Sequence, residues 1–285
     1  MVQSPPPRPL IRLAVRCRPD QADAVLAELL QLAPGGVEEE SGADFVEYAI
    51  YGAPGELPDL GWVQAETAEG GIQVTSSEVP DDWADRWRDF HRPVTVRGRV
   101  VVRPSWAPPQ VGDVIDVVVE PGQAFGTGAH PTTRMCLELL LELADAGDAH
   151  GSLCDLGTGS GVLAIAAAKL GWAPVFGVDS EQVAVSAACQ NAAANAVSLE
   201  LTRLNLREEP PPAAETIVAN LTAPLLREVI SRLRPLPGRL IVSGLLVREH
   251  DEVADSLTGA GLHESAHRTS GDWTAMLWVD RRSSP

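Results

Sequence analysis

Residues 155–161 read Asp155-Leu156-Gly157-Thr158-Gly159-Ser160-Gly161. A short apolar run, Ser152 to Cys154, precedes them. A helix-like run, Val162 to Leu170, follows and stops at Gly171. A second apolar run, Pro174 to Val178, ends in Asp179. Strand, glycine turn, helix, strand, acidic residue is the order that lays a nucleotide-like ligand across the carboxyl ends of parallel strands. Gly157 and Gly159 let the backbone turn sharply and approach a ligand with no Cβ in the way, and Gly161 lets the helix pack closely on the strand. A tight turn without a ligand fits the same glycines.

The spacing here is G-x-G-x-G, and Val162 stands where a dinucleotide fingerprint places its last glycine. Asp155, just before the turn, would repel a pyrophosphate and suit a cationic amino group. S-adenosylmethionine carries an ammonium, a sulfonium and no phosphate, so it fits this turn better than NAD. Asp179 stands where an acceptor can take both ribose hydroxyls; a plain N-cap for the helix from Glu181 onward is the alternative. Val218-Ala219-Asn220-Leu221 ends a further expected strand, Thr216 to Leu221. Asn220 would then stand at the sheet's carboxyl edge, beside the first strand, where its amide oxygen can accept from a substrate amine. A strand-end asparagine making a turn is the plainer reading.

Outward from this centre the chain alternates helix and strand. Thr132 to Ala146 and Gln182 to Asn195 read as helices, and Leu199 to Leu204 and Leu240 to Ser243 as strands. Leu225 to Leu233 and Val247 to Leu257 read as helices, and Thr274 to Asp280 as a final strand. Such alternation predicts an α/β fold with a mostly parallel, Rossmann-like sheet of seven strands wrapped by helices. Val94 to Arg103 and Val114 to Val119 read as strands before it. The loop Pro121-Gly-Gln-Ala-Phe125-Gly-Thr127-Gly128-Ala-His130-Pro-Thr132-Thr133 holds three glycines among small and hydroxylated residues, which suits a cofactor lid or a loop with a threonine helix cap.

Toward the N-terminus, residues 1–9 read as a flexible, proline-rich tail. In 10–80 the expected order is strand (Leu10 to Cys17), helix (Asp20 to Leu32), strand pair (Val37 to Ser41, Phe45 to Tyr51), short helix (Trp62 to Ala68) and strand (Ile72 to Ser76). That β-α-β-β-α-β order predicts a small ferredoxin-like α+β domain. Residues 81–93 read as a connector helix with Trp83, Trp87 and Phe90 on one face, and 94–285 as the α/β domain.

The 285 residues include 45% hydrophobic and 21% charged side chains, with no apolar run of membrane-spanning length. A formal net charge of −17 argues against a broad nucleic-acid footprint and suits either solubility or a basic protein partner. Cys17, Cys136, Cys154 and Cys189 form no C-x-x-C pair and read as buried, reduced thiols of a cytoplasmic protein. The six histidines show no metal-ligand spacing, so no metal is expected.

These segments together resemble the ribosomal protein L11 methyltransferases, which are class I S-adenosylmethionine-dependent enzymes. The resemblance rests on Asp82-Trp83…Trp87, the Pro121 to Thr133 loop and Asp155 to Ala167. It extends to Gly177-Val-Asp179, Asn191…Asn195, Val218-Ala-Asn-Leu221 and Gly271-Asp-Trp273. It implies protein N-methylation of lysine ε-amines, the N-terminal α-amine of ribosomal protein L11, or both. It also implies an N-terminal domain that docks the substrate protein. The alternative is a class I methyltransferase acting on lysine or another amine of a different protein. The resemblance assigns Phe125, Thr127, Gly128, Gly157 and Asp179 to S-adenosylmethionine, beside Asp155, Gly159 and Asn220. It puts Asn220 and Leu221 at the point of methyl transfer. A cytoplasmic monomer, without membrane or direct nucleic-acid contact, is expected.

Overall fold

The computed structural model describes residues 11–22, 25–26, 29, 37–42, 44–52, 72–78, 92–121 and 128–280. The chain divides into two compact units, 1–90 and 91–285.

In the first unit, β1 (Ile11–Cys17), β2 (Glu38–Ser41), β3 (Val46–Gly52) and β4 (Gln73–Glu78) form a sheet in the order β2-β3-β1-β4. Every neighbouring pair is antiparallel. This is the ferredoxin-like order. Residues 22, 25, 26 and 29 are helical. Their spacing puts one apolar stripe on one face, and Ala22, Val25 and Leu29 bury it against Val15, Cys17, Val46, Tyr48 and Ile72. The tail at 1–9, the helix expected at Trp62 to Ala68 and residues 81–91 of the expected connector, with Trp83, Trp87 and Phe90, lie outside the described residues.

The second unit begins with a small sheet of β5 (Val94–Val96), β6 (Val100–Arg103) and β7 (Ile115–Val118). The single strand expected over Val94 to Arg103 is in fact a hairpin. Arg97 and Gly98 have φ of 49° and 68°, and two consecutive positive φ values make the tight turn that joins antiparallel strands. Arg103, only 7% exposed, grips the Asp116 carboxylate at 2.7 and 2.6 Å and tethers β6 to β7.

Then come α1 (Pro131–Asp145), β8 (Leu153–Leu156), α2 (Val162–Leu170), β9 (Val175–Asp179), α3 (Gln182–Ala194), β10 (Glu200–Arg203), β11 (Thr216–Asn220), α4 (Ala223–Arg232), β12 (Arg239–Leu246), α5 (His250–Ala260), β13 (Leu262–Ser270) and β14 (Trp273–Asp280). The seven strands run in the order β10-β9-β8-β11-β12-β14-β13. β8 to β12 are mutually parallel, and β14 runs antiparallel to both β12 and β13. The strand order reverses between β8 and β11, which places the ligand crevice of such a sheet at the carboxyl ends of those two strands.

The reasons lie in the residues. β8 (LCDL) and β11 (TIVAN) are buried almost throughout, as strands covered by helices on both faces must be. In α2, Ala164, Ile165, Ala166 and Ala167 are all 0% exposed, and the three alanines let the helix lie close on the sheet. α1 buries Met135, Leu137, Leu139, Leu140, Leu141 and Leu143 around most of its circumference, so it is an interior helix.

Four further expectations are corrected. β13 was not anticipated, because LHESAHRTS is polar on both faces and lies at the sheet edge, where little apolar surface is needed. β12 runs on past Ser243 to Leu246, with a register shift against β14 between Val242 and Leu245. The helix expected from Val247 starts with a 3-10 turn, and α5 proper opens at His250. Cys189 is exposed, whereas Cys17, Cys136 and Cys154 are buried.

Candidate functional site

The glycine turn leaves β8 with φ of 72° at Gly157, 53° at Gly159 and 81° at Gly161, conformations that favour glycine at each place. The amides of Gly157 and Thr158 both donate to the Val178 carbonyl, at 2.8 and 2.9 Å, so β9 holds the turn in place. A Cβ on Gly161 would meet Ala188 Cβ at 3.1 Å, which is the close approach of α3. A Cβ on Gly157 would come 2.6 Å from Leu221 Cδ2. The turn after β8 and the residue after β11 are therefore in contact across the crevice. Ala219 pairs with Leu156, so Asn220 and Gly157 leave the ladder together.

Asp155 is 1% exposed, beneath the turn. Its Oδ2 accepts from the Thr158 hydroxyl at 2.8 Å, while its Oδ1 is buried without a hydrogen-bond partner. Burial pushes its carboxyl up to about 7. The Thr158 hydroxyl and the Ala164 amide pull it back, and Asp179 acts in the same sense as burial. In the unfolded chain the group ionises near 3.8. Between about pH 4 and about pH 7 the folded state therefore keeps a proton that the unfolded chain has lost. The resulting stabilisation is complete below about pH 4 and disappears as pH rises through about 7. Asp155→Asn removes that titration. The variant's melting temperature is expected to gain on the wild type progressively from about pH 4 to about pH 7 and to hold level above that. A constant difference between the two melting curves across that range would contradict the assignment.

Asp179 ends β9. Its Oδ2 accepts from the Gly159 amide at 2.9 Å and its Oδ1 from the Glu181 amide at 3.0 Å. The carboxylate thus ties the turn to the start of α3, where Glu181 is the N-cap. Two oxygens with about four lone-pair sites retain capacity for ribose hydroxyls. Asn220, half-buried, stands at the end of β11, and Leu221 is 9% exposed. Gly128 has φ of 82° and packs so closely on Val102 that a Cβ would come within 2.9 Å of Val102 Cβ. Phe125 and Thr127 lie outside the described residues.

The cap of α1 is His130 rather than Thr132 or Thr133: the Thr132 amide points to His130 Nδ1 at 3.4 Å, and Pro131 occupies the first turn. The His130 ring meets Trp273 edge-on, with centroids 4.8 Å apart. Burial pulls the imidazole down to about 4, so it is neutral near pH 7. The end of the 121–133 loop and the Gly271-Asp272-Trp273 turn therefore meet.

Asn191 and Asn195 enter the sequence reading only as part of the resemblance, with no contact assigned to either. Asn191 accepts from the Glu120 amide at 3.1 Å and donates to the Ser160 carbonyl at 2.8 Å. It thereby joins the glycine turn to the segment that leads out of β7. Asn195 pairs with Val118, accepting from its amide at 2.9 Å and donating to its carbonyl at 2.6 Å. Gly244 was missed as well. With φ of +82°, it brings β12 so near Leu221 that a Cβ would lie 2.5 Å from the Leu221 carbonyl oxygen. Their signals in sequence were one asparagine pair at helical spacing and one glycine inside an apolar run.

Three features of this crevice test its fit to S-adenosylmethionine. Asp155 Oδ1 is a buried acceptor without a partner, which a nearby cation would satisfy. Gly157 and Gly159 remove side chains from the turn. The N-cap of α2, Gly161, makes no side-chain bond to the helix, and of its first amides that of Ala164 serves Asp155. The residues fit an amino acid-like group carrying both charges.

A sequence model described as ribosomal protein L11 methyltransferase matches residues 60–281. The ribosomal protein L11 methyltransferase of Geobacter metallireducens is 38% identical over 203 residues, 70% of this chain and 66% of that protein. That of Symbiobacterium thermophilum is 39% identical over 69% of this chain and 65% of that protein. The chain thus spans just under two thirds of the length of these two relatives. That of Pelotomaculum thermopropionicum is 31% identical over 93% of this chain and 97% of that protein. Among solved structures, a ribosomal protein L11 methylase from Lactobacillus delbrueckii subsp. bulgaricus superposes with a TM-score of 0.60. It is 28% identical and covers 67% of this chain and 99% of its own.

Proposed function

The chain belongs to the ribosomal protein L11 methyltransferase family, whose members depend on S-adenosylmethionine, and from that premise we propose that it methylates amines of ribosomal protein L11. The acceptors in this reading are lysine ε-amines, the N-terminal α-amine, or both. What carries the reading is the meeting of the glycine turn with Leu221, next to Asn220 at the end of β11, where the strand order reverses. The N-terminal unit serves in it as the docking domain. Residues 81–93 serve as the connector. The enzyme is taken as a cytoplasmic monomer, and its net charge of −17 favours a basic protein over nucleic acid as partner.

S-adenosylmethionine, when bound, supplies an electrophilic methyl group on a sulfonium. Asp155, Gly157, Gly159 and the first amides of α2 hold its amino acid end, and Asp179 accepts from its ribose. Phe125, Thr127 and Gly128 complete its pocket. Asn220 accepts a hydrogen bond from the incoming amine and aims the nitrogen lone pair along the line of transfer, while Leu221 packs beside it. The amine must be neutral to attack. A lysine of pKa about 10.4 is mostly protonated near neutrality, and an α-amine near 8 is partly free. His130 is too weak a base, at about 4, to hold that proton. Water accepts it, and desolvation and positioning supply most of the rate.

The test is incubation of the purified full chain with methyl-labelled S-adenosylmethionine and ribosomal protein L11, followed by mass mapping. Label on amines of L11 is the expected result. An L11 that stays unlabelled, while a parallel incubation with a cell extract labels another protein, would move the activity to that protein.

A further inference from the structure

α5 and β13 bring together three side chains that the methyl-transfer reading does not use. β13 contains a bulge, seen as the register shift against β14 between Glu264 and Ala266. Residues three apart on a regular strand face opposite ways. The extra residue of a bulge turns Glu264 and His267 toward the same side. His250, the first residue of α5, lies over them: its Nε2 is 3.5 Å from Glu264 Oε2, and His267 Nδ1 is 3.8 Å from Glu264 Oε1. One ligating atom from each of the three lies within 4.8 Å of the others.

The remote nitrogen of each imidazole is already held. His250 Nδ1 is 2.8 Å from Asp251 Oδ1, and His267 Nε2 is 2.7 Å from Thr274 Oγ1. His250 Nε2, by contrast, is a buried nitrogen with no hydrogen-bond partner. An outer oxygen on the far nitrogen is the arrangement that orients a metal-binding histidine and raises its basicity. Asp251 and Glu264 place negative charge beside the two imidazoles, whereas Glu252 of the same turn is paired with Arg227.

We propose that His250, Glu264 and His267 bind a divalent late first-row transition-metal ion, with zinc as the reference ion. Two imidazoles and one carboxylate form a ligand set that zinc accepts with a further position open to water. Neighbouring ligand atoms of a tetrahedral zinc site are about 3.3 Å apart, given Zn–N bonds of about 2.0–2.1 Å. The two rings are stacked with centroids 4.6 Å apart. Binding therefore draws the ligands together by ring rotation, with Glu264 between them. Histidine and carboxylate donors favour zinc, copper or nickel over magnesium or calcium.

The experiment uses tag-free full-length chain, stripped with chelator and titrated with zinc chloride by calorimetry. Saturable binding of one ion per chain is expected. Affinity should fall at least about tenfold in His250→Ala, Glu264→Gln and His267→Gln, and by a similar factor in Asp251→Asn, which removes only the outer carboxylate. His150→Ala, a change of an exposed histidine outside the cluster, should bind as the wild type does. Cobalt(II) provides a readout independent of folding energy. Its d–d absorption should intensify with the wild type and lose that intensity with Glu264→Gln. Circular dichroism of the stripped variants identifies any that fail to fold, and the remaining variants decide. Absence of saturable zinc binding by the wild type, or unchanged affinity in the folded ligand variants, would overturn the site.

Discussion

Asn220→Ala is expected to lower turnover by about two to three orders of magnitude while cofactor affinity changes by less than about threefold. The size follows from what the amide is asked to do. A preorganised polar group aimed at the reacting atoms contributes about 2.7–4 kcal/mol of transition-state stabilisation. The split follows from position. Asn220 ends β11, one strand away from the turn that closes β8, whereas the groups proposed to hold the cofactor's amino acid and ribose ends are that turn and Asp179. Removing Asn220 therefore costs chiefly the interaction made with the amine and leaves those that the turn and Asp179 are proposed to make with the cofactor. Asp179→Ala should give the opposite pattern, weaker cofactor binding with less change in turnover at saturation. Calorimetry with S-adenosylmethionine and single-turnover methylation measure the two quantities. Parallel losses in binding and turnover for Asn220→Ala would remove the role assigned to it.

The second large effect is expected at Gly244, which is not proposed to touch either reactant. Gly244→Ala places a Cβ 2.5 Å from the Leu221 carbonyl oxygen, 2.8 Å from its carbonyl carbon and 2.9 Å from its nitrogen. These are backbone atoms, which cannot rotate away as a side-chain tip can. The Leu221 amide is also bound to the Ser243 carbonyl at 3.0 Å, so Leu221 and β12 must separate together. With φ of +82° the alanine is strained in addition. A loss of about 2–4 kcal/mol of stability is expected from the overlap and the strain combined. Turnover should fall at least about tenfold, because displacing Leu221 moves Asn220 beside it. Gly271→Ala provides the contrast. It has φ of +56° but open space around it, so strain alone acts there. Denaturant unfolding and turnover of the two variants separate overlap from strain. Equal effects at both glycines would show that the approach to Leu221 is unimportant.

The contrast between Gly157 and Gly244 also shows what the sequence could express. Gly157 lies in a local pattern whose spacing and flanking strand and helix imply its conformation. Gly244 lies inside an apolar run, and its necessity comes from a strand-end backbone far away in sequence, which no local pattern encodes. Likewise the central strands were readable from their apolar runs, while β13 was not, since its polar residues resemble those of a loop. The loop residues Ala129 to Thr133 were legible as a helix entry, but His130 rather than a threonine supplies the cap. The His250, Glu264 and His267 cluster had no readable spacing. It depends on a bulge and on packing of α5 against β13, both of which are tertiary facts.

The pairing of Asn195 with Val118 has a consequence for solubility. β7 is the outer strand of its three-stranded sheet. An outer strand offers open amides and carbonyls to any passing chain, which is a route to aggregation. Asn195 presents one carboxamide to both polar groups of Val118, and Asn191 takes the Glu120 amide two residues on. Side chains thus stand where a further strand would hydrogen-bond. The helix α3, which Asn191 ties to the glycine turn, thus also insulates this strand from self-association.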